Sequence, residues 1–312
     1  MNKCLVCYQP SETDYHKKCA EWLFGGKGTP VLDFGVDNLK ELAQKVVASQ
    51  ANVTGAQAKI SLSAVTNKNG IGKLAIDFKG QFILKPPTER YPGMPEVEAA
   101  TMRMADITHF DVVPYGLIRM ADGNLAYITR RVDREKGEKI PQEDMCQLTE
   151  RLTEDKYKSS YEQIGKAINK YALYPALSKV SFFQVVLFSF LHGNTDMHLK
   201  NFSLTYSNKL KGMTLTPAYD LLNTQILLPD QEQMALTLNG KRSNLKWRDF
   251  ETLADNLQLN KGQVKQVKKQ MLRARTDYNK TIENSFMPKE LKEQYLNELD
   301  KNYKILSESK SG

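Results

Sequence analysis

The chain has 312 residues, of which 41% are hydrophobic and 26% charged. That is enough apolar material for one large domain or two lobes, and it excludes a disordered or collagen-like polymer. The formal net charge of +8 favours anionic partners such as phosphates, nucleic acid or an acidic protein. The charge is spread along the chain, however, so much of it reads as solvated surface and not as a nucleic-acid-binding arm.

The opening MNKCLVCYQP lacks the apolar core of a secretory signal. Three of the four cysteines follow at once. Cys4, Cys7, His16 and Cys19 are spaced C-x2-C-x8-H-x2-C. Two close pairs of soft ligands suit tetrahedral Zn²⁺, and an N-terminal hairpin with three free thiols fits the same spacing. Cys146 stands alone and reads as core. The GGKG run at 25–28 lacks P-loop spacing and a preceding strand, so a linker is expected there. Leu39, Leu42, Val46 and Val47 recur at helical spacing and predict a helix over 37–49.

A period of two follows. Ile60, Leu62 and Ala64 alternate with polar residues, Asn69-Gly70 is a hairpin turn, and Leu74, Ile76 and Phe78 alternate again. Gln81–Lys85 is a third strand, stopped by Pro86-Pro87. Val97, Ala100, Met104 and Ile107 share one face of a helix over 95–107. Val112–Met120 and Leu125–Arg130 read as two further strands. Past residue 134 the pattern turns helical. Pro141 to Asp144 is expected to open a helix, with proline early and acids in the first turn. Helices are expected at Tyr161–Tyr171 and Ala176–His192, then short strands near 202–206 and 213–216, then helices near 246–256, 261–284 and 288–307. The longest apolar run, Val180 to Leu191, is interrupted by Ser and Gln and is too short to span a bilayer. With no signal or span, a cytoplasmic protein with reduced thiols is expected. The order β-β-β-α-β-β followed by helices is an α+β, protein-kinase-like layout, with a small β-rich N-lobe and a mostly helical C-lobe. The division expected is 1–30 for the Cys/His segment and linker, 31–132 for the N-lobe and 133–312 for the C-lobe.

Phosphoryl transfer needs a cation on the ATP phosphates, ligands for Mg²⁺ and a carboxylate near the attacking hydroxyl. Lys85 ends the third strand and could supply the cation, with Glu98 as its partner and Glu96 as second choice. A strand-end lysine in water is the plain alternative. The segment from His192 to Asn201 packs Asp196, His198, Lys200 and Asn201 directly after an apolar helix. Polar groups beside a core element are costly unless satisfied. Asp196 and Asn201 have the D-x-x-x-x-N spacing of a kinase catalytic loop. Asp196 would accept or orient the substrate hydroxyl proton, with His198 and Lys200 grouped with it, and Asn201 would bind Mg²⁺ through its amide oxygen. Asp220, in TPAYDL, can be the main Mg²⁺ ligand or an ordinary turn aspartate. Val53, Thr54, Gly55, Ala56, Gln57 and Lys59 precede the first strand, where a phosphate-covering loop belongs, although one glycine replaces G-x-G-x-x-G. Backbone N–H groups there could cradle phosphate.

Together TGAQAK (54–59), FILKP (82–86), ITRRVDR (128–134), IPQEDMCQ (140–147), GNTDMHLKNFSL (193–204) and LTPAYDLL (215–222) resemble the HipA-like kinases of bacterial toxin–antitoxin systems. The resemblance covers roughly residues 50–240. It implies Asp196 as catalytic aspartate, Asn201 and Asp220 as Mg²⁺ ligands, Lys85 as the ATP lysine and 54–59 as the phosphate loop. It also implies Arg130–Val132 as a hinge holding adenine through the backbone. The implied activity is protein serine/threonine phosphorylation, with aminoacyl-tRNA synthetases among the family's targets and growth arrest and persistence as the outcome. The implied partners are a helix-turn-helix antitoxin, through which nucleic acid is met only indirectly, and a protein substrate; no membrane is involved. The chain departs from the long family form in three places. The Cys/His segment stands where that form has a small β-rich subdomain, so a short form with a separate small protein supplying that piece is expected. Asn52 replaces the usual loop serine, leaving Thr54 and Ser49 as nearby hydroxyls for autophosphorylation. Tyr219-Asp220-Leu221 replaces D-F-G. A small-molecule phosphotransferase on a similar fold and a non-catalytic regulatory subunit are the competing readings. PQEDMCQ and TGAQ speak against the first, and the intact Lys85, Asp196, Asn201 and Asp220 against the second.

Overall fold

The computed structural model describes residues 2–26, 28–39, 58–68, 70–77, 79–135, 137–228 and 231–307. The predicted phosphate loop at 53–57, most of the predicted helix at 37–49, and Ser49 and Asn52 lie outside the described residues. The chain forms two compact units. One comprises described residues of Met1–Arg103, Val113–Glu138 and Asn284–Met287; the other comprises those of Met104–Val112, Lys139–Glu283 and Pro288–Gly312.

The first unit is built on a five-stranded sheet of β1 (Ile60–Asn67), β2 (Gly70–Ile76), β3 (Phe82–Lys85), β4 (Tyr115–Arg119) and β5 (Leu125–Arg130), in the order β2-β1-β3-β5-β4. Every pairing is antiparallel. The predicted alternation sets the register: Leu62 faces Ile76 on one side and Phe82 on the other, and Leu84 faces Ile128. Leu62, Leu74, Leu84, Leu117 and Ile128 are fully buried. Gly80 admits no side chain, because a Cβ there would lie 2.3 Å from the Leu62 carbonyl oxygen. The β4 strand begins at Tyr115 instead of Val112. Pro114 cannot donate to a ladder, and Val112 forms an isolated bridge to Ala218.

Residues 2–24 lie along the β4 edge of this sheet. The helix α1, Lys17–Phe24, buries Ala20, Leu23 and Phe24 and ends at Gly25 with φ +74°, a left-handed helix stop. Leu117 N–H donates to the Leu5 carbonyl at 3.0 Å, and the Tyr15 hydroxyl donates to the Leu117 carbonyl at 2.7 Å. Gly116 lets Leu23 and Val6 press on the strand. The edge is thus covered instead of presenting open ladder groups.

The second unit is mainly helical. The Pro175–Leu191 helix has proline in its first turn and buries eleven side chains from Ser178 to Leu191, Phe182, Phe183 and Phe188 among them. Lys261–Asn284 buries Val267, Met271, Ala274, Tyr278, Thr281 and Ile282, a single stripe at helical spacing. Lys289–Ser307 buries Tyr295, Leu299, Asn302, Tyr303 and Leu306. Where a helix was expected to open, Gln142–Asp144 is a strand. It pairs with Ser203–Ser207, which pairs in turn with Gly212–Leu215. The ladder to Ser203–Ser207 captures these residues, and the helix shrinks to Met145–Leu148. Asp144 is its N-cap, in a capping box with Gln147. No described helix is long and apolar enough to cross a membrane.

Candidate active site

Lys85 is not a strand-end lysine in water. It is 5% exposed, and its ammonium lies 2.6 Å from Glu98 Oε1, on a residue that is fully buried. Glu98 projects from the Met94–Ile107 helix that follows β3. The ammonium also sits 5.3 Å from the centre of the Tyr127 ring on β5. Glu98, and not the second choice Glu96, is the carboxylate that pairs. Burial raises the Glu96 pKa above the usual carboxylate value.

In the second unit the chain leaves the Pro175–Leu191 helix into a tight polar loop. Asn302, on the last helix, donates its amide to the carbonyls of Phe190 at 3.1 Å and Leu191 at 3.4 Å, filling helix-end acceptors that have no partner within the helix. His192 is fully buried; its Nδ1 lies 3.0 Å from the Tyr295 hydroxyl and its ring stacks on Phe188. Gly193, at φ +62°, is required twice over, since a Cβ would also meet Asn223 Oδ1 at 2.7 Å. Asn194 Oδ1 accepts from the Asp196 N–H, and the Asp196 carbonyl accepts from the His198 N–H and from Asn201 Nδ2 at 3.0 Å. The D-x-x-x-x-N spacing is therefore a closed turn in which the asparagine amide clamps the aspartate backbone. With Nδ2 so committed, the Asn201 end suited to a cation is its oxygen. The Asp196 carboxylate accepts a short hydrogen bond from the Tyr157 hydroxyl.

The segment carrying Asp220 is tied to the same loop. Tyr219 donates its hydroxyl to the Lys200 carbonyl at 3.1 Å and lies 2.6 Å from Ser203 Oγ. Thr224 Oγ1 accepts from the Thr195 N–H at 2.7 Å, and Gln225 N–H donates to the Gly193 carbonyl. Asp220 has φ +59°, a left-handed conformation that aspartate and asparagine tolerate better than other L residues. The His198 ring, in edge contact with Tyr157, feels both carboxylates. Burial lowers its pKa, and Lys156 adds to this. The Asp196 and Asp220 charges oppose the shift without reversing it, so the ring is neutral near pH 7. Lys200 pairs with Asp144 at 2.6 Å.

Of the other predicted residues, Lys59 is exposed just before β1, and Arg130 and Val132 lie at the end of β5. The N–H groups of Arg130 and Arg131 donate to the Pro114 and Gln81 carbonyls, and the Arg130 guanidinium donates to the Trp22 carbonyl. Cys4, Cys7, His16 and Cys19 converge, with all four ligand atoms within 4.8 Å of one another. Tyr157, Asp144, Tyr219 and Thr224 were not anticipated from the sequence. Each bonds to the loop from a distant position, and no local spacing announces it.

The model of the HipA-like C-terminal domain family matches residues 51–278. Y4mE of Sinorhizobium fredii, named as a candidate kinase, is 34% identical over 64% of this chain and 48% of its own length. The chain thus spans about half of that relative. A candidate kinase of Haemophilus influenzae is 28% identical over 69% of this chain and 71% of its own. Among solved structures, the complex of Shewanella oneidensis HipA with HipB and operator DNA matches with a TM-score of 0.67, at 19% identity, over 86% of this chain and 72% of that one. The Helicobacter pylori proinflammatory kinase CtkA matches with a TM-score of 0.54, at 16% identity, over 80% and 94%. At such identities the two structures speak for the fold, which is α+β and kinase-like. The family model, covering well over half the residues, speaks for descent: the chain belongs to the HipA-like C-terminal domain family.

Proposed function

We propose that this protein is an ATP- and Mg²⁺-dependent protein serine/threonine kinase and the toxin of a bacterial toxin–antitoxin pair. The observation that carries the reading is the buried Lys85–Glu98 pair at 2.6 Å. Burying two charges costs several kcal/mol per ion before their attraction is counted, so such a pair is poor value as mere stabilisation. A strand lysine held by the glutamate of the following helix is the arrangement kinases use to steady an ATP phosphate.

In this reading Lys85 binds phosphate, and backbone N–H groups of 53–57, with Lys59, cover it. Val132 and main-chain carbonyls at 130–132 take the adenine edge, since the Arg130 and Arg131 N–H groups are already engaged. The donor set fits Mg²⁺: the Asn201 amide oxygen and the Asp220 carboxylate are the hard oxygen ligands that ion prefers. When bound, the ion would neutralise charge on the phosphates. Asp196, clamped through its backbone by Asn194 and Asn201, orients the substrate hydroxyl and takes its proton. Neutral His198 lines the loop without adding charge, and Lys200, tied to Asp144, anchors it. Residues 31–132 act as the N-lobe and 133–312 as the C-lobe of a cytoplasmic enzyme. The substrate is a protein, with an aminoacyl-tRNA synthetase as the first to try. A HipB-like antitoxin is the partner suggested by the Shewanella complex, with DNA reached through it. Thr54 and Ser49 are the sites to inspect for autophosphorylation.

The test is transfer of label from γ-labelled ATP with Mg²⁺. Labelled protein supports the reading, a labelled metabolite supports the small-molecule alternative, and no transfer defeats both. Asp196→Ala should lower transfer by about 10²–10⁴-fold while leaving the fold intact; wild-type rates in that variant would remove its assigned role. Asp220→Asn, which keeps the backbone preference, should weaken nucleotide binding only when Mg²⁺ is present.

A further inference from the structure

Four side chains outside the phosphotransfer set form a second, separate constellation. Cys4 and Cys7 sit in a turn in which Cys4 N–H donates to the Gln9 carbonyl and Tyr8 N–H to the Cys4 carbonyl, both within about a hydrogen-bond length. His16 is the N-cap of α1 and Cys19 lies in its first turn. The His16 Nδ1 atom is 3.3 Å from Cys7 Sγ and 3.9 Å from Cys19 Sγ, and the four ligand atoms all fall within 4.8 Å. A tetrahedral ion with Zn–S of about 2.3 Å and Zn–N of about 2.0–2.1 Å sets edges of roughly 3.6–3.8 Å. The two His16 distances bracket those edges, and no pair of ligand atoms is more than 4.8 Å apart.

One further feature points the same way. His16 Nε2 lies 2.9 Å from the Pro10 carbonyl oxygen. A carbonyl can only accept, so Nε2 carries the proton and the Nδ1 lone pair faces the sulfurs. Metal-binding histidines use this outer contact to fix tautomer and ring orientation.

We propose that Cys4, Cys7, His16 and Cys19 bind one Zn²⁺ in a closed, structural site. Four protein ligands leave no position for water or substrate, so the ion's role is to hold the fold. What it holds is the segment along β4. Leu5 and Tyr15, which bond to the Leu117 main chain, and Leu23, which packs on Gly116, all lie within a few residues of a ligand. In a chain stretch this short, metal binding and local folding are one equilibrium. The proposal is independent of the phosphotransfer reading: an inactive protein would still bind zinc, and a zinc-free protein could still transfer phosphate.

The test uses the full-length protein, reduced, stripped with chelator and reloaded with Zn²⁺ or Co²⁺ alone. Wild type and Cys146→Ser should each hold about one Zn²⁺ per chain, because Cys146 is outside the cluster. Co²⁺ should give thiolate charge-transfer and tetrahedral d–d bands. His16→Cys should keep the ion with charge-transfer intensity raised by roughly a third, as a fourth thiolate joins three. Cys19→Ser should lose it. Stripping should lower the melting temperature by at least about 5 °C. Wild type that takes up less than about a tenth of an equivalent from excess Zn²⁺, or a Co²⁺ spectrum unchanged by His16→Cys, would overturn the site.

Discussion

The Lys85–Glu98 pair and the 192–201 loop hold their polar groups by opposite means. At Lys85, opposite charges face each other in the interior, one on a sheet strand and one on a helix. In the loop, Asp196 is placed by hydrogen bonds: its N–H donates to Asn194, its carbonyl accepts from Asn201 and its carboxylate from Tyr157, and the loop is moored by Thr224 and Asn302. The first arrangement is concentrated, because losing one partner removes a whole opposite charge from beside a buried one. The second is distributed, so each bond removed costs a modest amount and the rest persist.

Breaking the charge pair should have the largest effect. Glu98→Gln takes from the buried Lys85 ammonium the carboxylate that lies 2.6 Å away, and a loss of about 3–5 kcal/mol is expected in urea unfolding. Pairing it with Lys85→Met should return most of that stability, since buried ion pairs are often replaced by apolar residues at little cost, yet phosphotransfer should stay absent. Full stability in Glu98→Gln alone would show that the pair is solvated and the contrast unfounded. Asn302→Ala probes the distributed side. It withdraws the amide from the Phe190 and Leu191 carbonyls, and a smaller loss of about 1–3 kcal/mol is expected. Transfer should persist in that variant. A collapse of activity equal to that of Asp196→Ala would mean that the loop is no more redundant than the pair.

The same contrast explains what could be read in advance. Lys85, Glu98, Asp196 and Asn201 are recognisable because short-range pattern carries them. Strand alternation ends at Lys85, the helix places Glu98 one turn in, and D-x-x-x-x-N is a local spacing. Their supports were invisible because Tyr157, Thr224 and Asn302 lie 29 or more residues from the groups they hold in this loop. The expected helix at 141–144 failed for the same reason. Its proline and acids are good helix-start residues, but the ladder to Ser203–Ser207, sixty positions away, takes them as strand. Asp144 kept its capping role at the shortened helix, so the local chemistry was read correctly and the boundary was not.

The smallest effect expected is a pH dependence seated at the base of the loop. Burial, followed by the nearby Arg275 charge, drives the His192 pKa well below that of an ordinary histidine. Its folded-state pKa therefore lies beneath the value of about 6.5 it has in the unfolded chain. Above pH 6.5 neither state holds the proton, and His192 adds no slope. As the pH falls below 6.5 the unfolded state takes up a proton that the folded state refuses, and stability declines by at most about 1.4 kcal/mol per pH unit. His198, also lowered by burial, adds a decline of the same sign. Urea midpoints should thus be flat from pH 8 to 7 and fall between pH 6.5 and 5, with a shallower fall in His192→Gln. Equal slopes in the two proteins would mean that the ring is not the group that refuses the proton. Glu98→Gln with Lys85→Met leaves His192 in place, so that double variant should keep the His192 share of the fall, which His192→Gln removes.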